Sequence, residues 1–327
     1  MSKLKNKLYY EEIGENNQEL IIFLHSNLLS NWIWEKQRNF SNYHCIYLDI
    51  PNHGNSFFED DFSISKSSEI IKDLIEEKRV YANGYYKKVH LVGIALGGQI
   101  ILYLLAKYPE LIDSAVVSGV NLKESYNNIN QNNIEEILET LDKLKIDILD
   151  KKHPDFIIKG YLAEYGISKD YLDKVKGSIS KINSNEIDKS ENLNLITKKS
   201  LAFEIPELNE IDEVNEINEI DEVNEINEVN EGSKIDEVNE FNEINEVNGN
   251  NKNINLLVLY GTKEYPKVAK SARLIKNKFN SAKIFSVYRA IHLWNLIDCE
   301  WFNETIIDFI ANKKIDLNDK PYLNKIE

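Results

Sequence analysis

Val89-His90-Leu91-Val92-Gly93-Ile94-Ala95-Leu96-Gly97-Gly98-Gln99, followed by the apolar run from Ile100 to Ala106, is the stretch whose reading decides the fold. It reads as a buried strand, a tight turn flanked by glycines, and a helix. Gly93 and Gly97 let a sharp strand-to-helix turn close without Cβ clashes, and the residue between them is lifted to the apex. That residue is Ala95.

Before this stretch the chain alternates in the same manner. Leu8 to Ile13 predicts a strand, and Gly14-Glu15-Asn16-Asn17 turns it into a second strand, Leu20 to Leu24, apolar enough to be buried. That strand ends at His25-Ser26-Asn27, and a helix carrying Trp32, Trp34 and Phe40 is expected next. A short strand, Cys45 to Leu48, runs into Asp49-Ile50-Pro51-Asn52-His53-Gly54-Asn55-Ser56. Ser65 to Lys78 then shows helical spacing through Ile70, Ile71, Leu74 and Ile75. After the turn at Ala95 and its helix, Asp113 to Gly119 predicts another buried strand. Strands alternating with helices over the first 120 or so residues imply a mostly parallel, doubly wound α/β sheet.

From about Leu122 to Leu201 the strand pattern stops. Helices are expected over Ile134–Leu149, Phe156–Tyr165, Tyr171–Ile182 and Leu193–Phe203, an all-helical insertion between two strands of the sheet. Residues 207–248 repeat an apolar-Asn-Glu or apolar-Asp-Glu tripeptide, broken once by Gly232-Ser233-Lys234. Three residues advance a helix by about 300°, so the apolar position drifts around the axis and builds no stripe. Strand signals resume at Ile254–Tyr260, which ends in Gly261-Thr262-Lys263-Glu264. A helix over Lys267–Phe279, a strand over Lys283–Tyr288, a loop containing His292, and a helix over Trp301–Asn312 complete the pattern. The tail to Glu327 gives no readable signal. The expected organisation is a first core part over 1–121, a helical cap over 122–206, a disordered acidic repeat over 207–251, and a second core part over 252–327.

The net charge of −15 belongs almost entirely to the repeat. Glu204 to Glu246 holds seventeen acids and one lysine, which leaves 37 acids against 38 bases elsewhere. The acidity therefore says little about a substrate; the repeat is expected to be a solvated, mobile expansion, with an acidic interaction tether as the sharper alternative. No basic patch points to nucleic acid, and no apolar run of 18 or more residues points to a membrane span. Met1 to Glu12 lacks an apolar signal core, so a cytoplasmic protein is expected. Cys45 and Cys299 form neither a metal-ligand spacing nor a disulfide framework, and no metal or cofactor is expected.

Five motifs in order resemble those of the capped, small-substrate branch of the α/β-hydrolase superfamily, over about residues 8–122 and 254–312. His25-Ser26-Asn27 resembles the His-Gly-X oxyanion loop, and the Asp49 to Ser56 octapeptide resembles the Asp-x-Pro-Gly-His-Gly-x-Ser turn. Gly93-Ile94-Ala95-Leu96-Gly97-Gly98 falls on the Gly-x-Ser-x-Gly-Gly nucleophile elbow. Glu264 falls on the acid position and His292 on the histidine position. The resemblance implies an acid holding an imidazole that takes a proton from the elbow residue, with the backbone N–H groups of Asn27 and Leu96 facing the developing oxyanion. It also implies a pocket above the strand ends, under the cap, for a small, largely apolar ester or related carbonyl compound. His25 and His53 are expected to brace the oxyanion loop and the turn, while His44, His90 and His153 carry no signal.

Two departures matter. Ser26 stands where the family has glycine, and Ala95 stands where it has the attacking serine. Alanine offers no nucleophile and no acid–base group, and no neighbouring residue supplies one, since Ser118 ends a different strand. Four readings remain open from the sequence: a hydrolase-fold protein that binds without covalent turnover, an alanine introduced into an active serine esterase, a general-base enzyme working through His292, and a partner-binding protein acting through the acidic repeat.

Overall fold

The apolar runs that read as buried strands assemble side by side into one sheet. The structure is a computed structural model that describes residues 6–79, 87–123, 168–181, 199–200, 203–206 and 254–326. Its strands are β1 (Tyr9–Ile13), β2 (Glu19–Leu24), β3 (His44–Asp49), β4 (Lys88–Ile94), β5 (Ser114–Ser118), β6 (Leu256–Gly261), β7 (Lys283–Val287) and β8 (Leu323–Ile326). They lie in the order β1-β3-β2-β4-β5-β6-β7-β8. The six inner strands are parallel, while β1 runs antiparallel to β3 and β8 antiparallel to β7. Parallel strands are covered on both faces, which is why β2 and β5 are apolar almost without alternation.

Six α-helices are described: α1 (Ile64–Arg79), α2 (Leu96–Lys107), α3 (Leu172–Lys181), α4 (Pro266–Lys278), α5 (Trp294–Ile297) and α6 (Cys299–Asn312). Helix α2 is apolar nearly all round and correspondingly buried, from Leu96 through Ala106 with only Tyr103 half-exposed. α1 buries Ile71, Leu74 and Ile75 and carries Lys78 and Arg79 in its last turn, where cations suit the negative end of the helix dipole.

Two expectations are corrected. The segment after His25-Ser26-Asn27 is a 3₁₀ helix over Asn31–Gln37, and Phe40 lies beyond it. Asn31, Trp34 and Gln37 are all buried, a three-residue spacing that a 3₁₀ turn places on one line and an α-helix does not. The tail, unreadable as sequence, contributes β8, whose short Leu-Asn-Lys-Ile run takes its conformation from pairing with β7. Tyr322 prepares that pairing: it stacks on Trp301 at 4.5 Å and accepts the Tyr288 N–H at its carbonyl. Of the helices expected in the insertion, Tyr171–Ile182 appears as α3. Those over Ile134–Leu149 and Phe156–Tyr165, most of that over Leu193–Phe203, and the acidic repeat lie outside the described residues, as do most of the cap and repeat boundaries.

The insertion leaves the sheet through a closed stem. Leu122 donates its N–H to Ser271 Oγ at 3.0 Å, and Lys123 donates to the Phe203 carbonyl at 2.9 Å. Gln99 of α2 donates to the carbonyls of Asn121 and Ser200 at 2.7 and 2.9 Å and accepts from Ser200 Oγ. β5 and β6 can therefore pair as parallel neighbours although the insertion separates them in sequence.

Candidate functional site

The elbow forms as the glycines require. Ala95 sits between β4 and α2 with φ 49° and ψ −108°, a left-handed conformation that costs a residue with a Cβ on the order of 1–2 kcal/mol. A Cβ on Gly93 would stand 2.6 Å from the Gly97 carbonyl carbon, and a Cβ on Gly97 would stand 2.1 Å from the Leu24 carbonyl oxygen. Both glycines are thus needed for the helix to start so close to β2. The apex is pinned from the other side, where the Ala95 N–H donates to the Ser118 carbonyl at 2.9 Å.

The loop after β2 is held by a histidine whose tautomer the geometry determines. His25 Nε2 accepts the Ile50 N–H at 2.9 Å, so the proton is on Nδ1, which donates to the Ser26 carbonyl at 2.7 Å. The His25 carbonyl accepts the Gly97 N–H at 3.1 Å, which fastens this loop to the first turn of α2. Leu96 opens that helix, so its N–H has no partner within it. Asn27 follows directly, with its side-chain oxygen 3.4 Å from His53 Nε2. His53 in turn donates from Nδ1 to the Pro51 carbonyl at 3.1 Å. Asp49, buried at the end of β3, accepts the N–H groups of Asn31 and Asn55 at 2.7 and 2.8 Å and so shapes the octapeptide turn. Both expectations for His25 and His53 as braces agree with these contacts.

Burial pushes the His25 imidazole down to about 4 and that of His53 to about 3, the second also through its neighbour His25. His90 is lowered to about 4 by burial and by Lys313, and its Nδ1 lies 2.8 Å from Ser114 Oγ. Each folded value lies below the ordinary 6.5, so between that pH and about 4 the unfolded chain binds protons the native chain refuses. Stability present above pH 6.5 is therefore lost as the pH falls. The urea midpoint is expected to drop between pH 7 and 4.5 by the equivalent of at least about 2 kcal/mol; a flat profile over that range would contradict these buried neutral imidazoles.

The acid and the histidine meet. Glu264 Oε1 lies 2.7 Å from His292 Nδ1, and Glu264 Oε2 accepts the Gly261 N–H at 2.7 Å. The Glu264 side chain is 3% exposed and that of His292 14%. Sequence reasoning missed what makes room for this pair at the end of β5. Gly119, at φ 63°, follows the residue whose carbonyl pins Ala95, and a Cβ there would fall 2.8 Å from Glu264 Oε1 and 2.9 Å from His292 Nδ1. Only hydrogen fits. Trp294 Nε1 donates to Ser118 Oγ at 3.0 Å, so one residue of β5 fastens both the elbow and the histidine loop. The sequence signal was faint: a Ser-Gly pair closing an apolar strand. Gly119→Ala is expected to push His292 off Glu264, read by proton NMR as loss of the low-field Nδ1–H resonance expected of the wild type.

Among the described residues no group of three or more His, Cys, Asp or Glu side chains could hold a metal ion, and no helix is long and apolar enough to cross a membrane. Cys45 is buried, its thiol pushed up to about 12 by burial, and Cys299 is half-buried; neither enters the site.

The family profile described as the alpha/beta hydrolase fold matches residues 19–293. The chain belongs to the α/β-hydrolase family. Among curated proteins this α/β hydrolase is similar to ethanol acetyltransferase 1 of Cyberlindnera jadinii, 26% identical over 207 residues, covering 61% of this chain and 54% of that one. A putative 2-succinyl-6-hydroxy-2,4-cyclohexadiene-1-carboxylate synthase of Haemophilus influenzae is 38% identical over 106 residues, 31% of this chain and 41% of that one. The α/β hydrolase thus spans about half the length of these curated relatives, or less. Among solved structures, a bromoperoxidase from Bacillus anthracis superposes with a TM-score of 0.62 at 15% identity, over 95% of this chain and 97% of that one. A carboxylesterase structure from Nitrososphaera gargenis gives 0.61 at 12%, over 96% and 98%. At such identities the likeness speaks for the fold alone.

Proposed function

We propose that this α/β hydrolase holds small, largely apolar ester-type carbonyl compounds at the elbow and does not turn them over by the covalent serine route. The observation that carries this reading is the occupant of the apex: Ala95 adopts the strained elbow conformation, yet its methyl group has neither a lone pair nor a transferable proton. The N–H groups of Asn27 and Leu96 are main-chain donors that the change at position 95 leaves in place, and they suit the oxygen of a bound carbonyl. The name of one curated relative, an ethanol acetyltransferase, supports an ester-type ligand. A panel of short- and medium-chain esters and thioesters tests the reading. Hydrolysis by the wild type is expected to match that of His292→Ala at every substrate. Wild-type turnover that His292→Ala abolishes would overturn it.

The bond between His292 and Glu264 favours a second reading. A carboxylate that accepts from Nδ1 leaves Nε2 as the free acceptor, and His292 could take a proton from water or from an acidic C–H or O–H of the ligand without any nucleophile at position 95. Fold alone licenses no such chemistry. The same variant separates the two readings, because this one requires an activity that disappears with the imidazole. A role for the acidic repeat in binding a protein partner is a separate proposal. Deleting residues 207–248 is expected to abolish that partner's capture while leaving ligand binding intact.

A further inference from the structure

Ser178 of α3 makes a full set of hydrogen bonds, and two of the three leave the helix for the cap and first turn of the 3₁₀ helix that follows the Asn27 loop. Its hydroxyl donates to the Lys174 carbonyl at 3.0 Å, accepts from Trp32 Nε1 at 2.8 Å, and lies 3.1 Å from Ser30 Oγ. A serine hydroxyl has one proton and two lone pairs, so with Ser30 donating, every capacity is used. Ser178 is buried, at 3% exposure. Ser30 is three residues past Asn27, and Trp32 lies in the first turn of the 3₁₀ helix.

Further contacts from the same helix and its lead-in reach the same place. Tyr171 Oη donates to Glu35 Oε1 at 2.5 Å, Lys174 pairs with Glu35, and the Tyr171 ring stacks on Trp32 with centroids 5.4 Å apart. At the far end Lys181 Nζ donates to Asn55 Oδ1 at 2.9 Å, on the turn that Asp49 shapes. Burial works against the Glu35 carboxylate, but the hydrogen bonds from Lys174 and Tyr171 carry it below the usual carboxylate range. Tyr171 and Lys174 thus join α3 and its lead-in to the 3₁₀ helix that follows the Asn27 loop, and Lys181 joins α3 to the octapeptide turn.

We propose that Ser178 is a positioning residue through which helix α3 sets the conformation of the Asn27-bearing loop, so that helix and loop hold or lose their order as one unit. The proposal rests on reading Asn27 as a carbonyl-facing donor, but its test needs no ligand and so stands or falls apart from that reading. A helix seated on the loop by packing alone would loosen without disturbing it. Here Ser178 is the acceptor of Trp32 and the neighbour of Ser30. Ser30 directly follows the turn closed by Leu29 N–H to Ser26 O, at 3.4 Å, and opens the turn closed by Ile33 N–H to Ser30 O, at 3.2 Å.

Native-state amide hydrogen exchange on the full chain tests this, with Ser178→Ala and Glu35→Gln compared with wild type. In both variants the amides of Leu29 and Ile33 are expected to exchange about tenfold faster, in step with those of α3, while β4 and β6 keep their protection. In a double-mutant cycle, Ser30→Ala is expected to add nothing further once Ser178 is alanine. Faster exchange in α3 with Leu29 and Ile33 unchanged would overturn the proposal, as would a uniform rise across the sheet, which marks general destabilisation. Additive effects of the Ser30 and Ser178 changes would also overturn it. Because both substitutions remove a surface or single-hydroxyl contact and no core volume, the folded chain remains available for the measurement.

Discussion

Ala95→Ser is expected to create an ester hydrolase whose turnover of short-chain esters exceeds the wild type by on the order of 10³-fold or more. The substitution adds one oxygen at a position whose backbone already has the elbow conformation, φ 49° and ψ −108°, so no rearrangement of β4 or α2 is needed to present it. An acid–histidine pair is already in place: Glu264 Oε1 lies 2.7 Å from His292 Nδ1, and Gly119 lets that pair lie against the end of β5, whose Ser118 carbonyl pins the Ala95 N–H. Removing the nucleophile from a working triad costs about six orders of magnitude in kcat, with roughly 10³–10⁴ over water left to the oxyanion donors and binding. Restoring it on a scaffold not selected for this substrate is expected to recover part of that loss. A release assay with activated acetyl and butyryl esters reads the gain, and adding His292→Ala to the serine variant is expected to remove it. No gain across the ester panel would mean that the acid–histidine pair does not address position 95, and the triad reading of Glu264 and His292 would fall with it.

Gly97→Ala is expected to destabilise the fold by about 3 kcal/mol or more, although alanine is the better helix former by about 1 kcal/mol. The two effects compete, and the distances decide between them. A Cβ at position 97 would lie 2.1 Å from the Leu24 carbonyl oxygen, 2.5 Å from its carbon and 2.8 Å from the His25 oxygen. All three are main-chain atoms of a buried strand and its loop, with no flexible side chain to swing away. Helix α2 must therefore lift off β2, breaking the bond from the Gly97 N–H to the His25 carbonyl and moving the loop that carries Asn27. Urea denaturation followed by far-UV circular dichroism measures the loss. A midpoint equal to wild type would show that α2 can slide at no cost, which the packing of Ile100, Ile101 and Leu104 in the core argues against.

Much of this molecule is legible in its sequence, for reasons that differ by element. The inner strands announced themselves because parallel strands are covered on both faces and must be apolar throughout. The elbow was legible because only glycines tolerate the approach at positions 93 and 97. Glu264 and His292 could be picked out because each closes a strand or loop at a place the chain order makes meaningful. What escaped was built by contacts between distant residues. No local pattern marks Gly119 as the residue whose missing side chain makes room for a dyad drawn from positions 264 and 292. Nor does anything near Ser178 announce a bond to Trp32. The 3₁₀ turn over Asn31–Gln37 looked helical because a three-residue and a 3.6-residue spacing diverge little over two turns. Strand β8 was invisible because an edge strand borrows its order from its neighbour.

Both outermost strands run against the direction of the six between them, and this bears on how the protein behaves in concentrated solution. A parallel strand left at a sheet's margin offers a straight row of unpaired N–H and C=O groups to any passing chain. Here β7 is sealed by β8, a strand of only four residues whose middle pair, Asn324 and Lys325, faces solvent. On the opposite margin β1 seals β3 and places Glu11 and Glu12 along its length. Short length and charge are the features that discourage edge-to-edge pairing. The fifteen or so residues past α6 therefore act as a selvedge, keeping the woven sheet from catching on its neighbours.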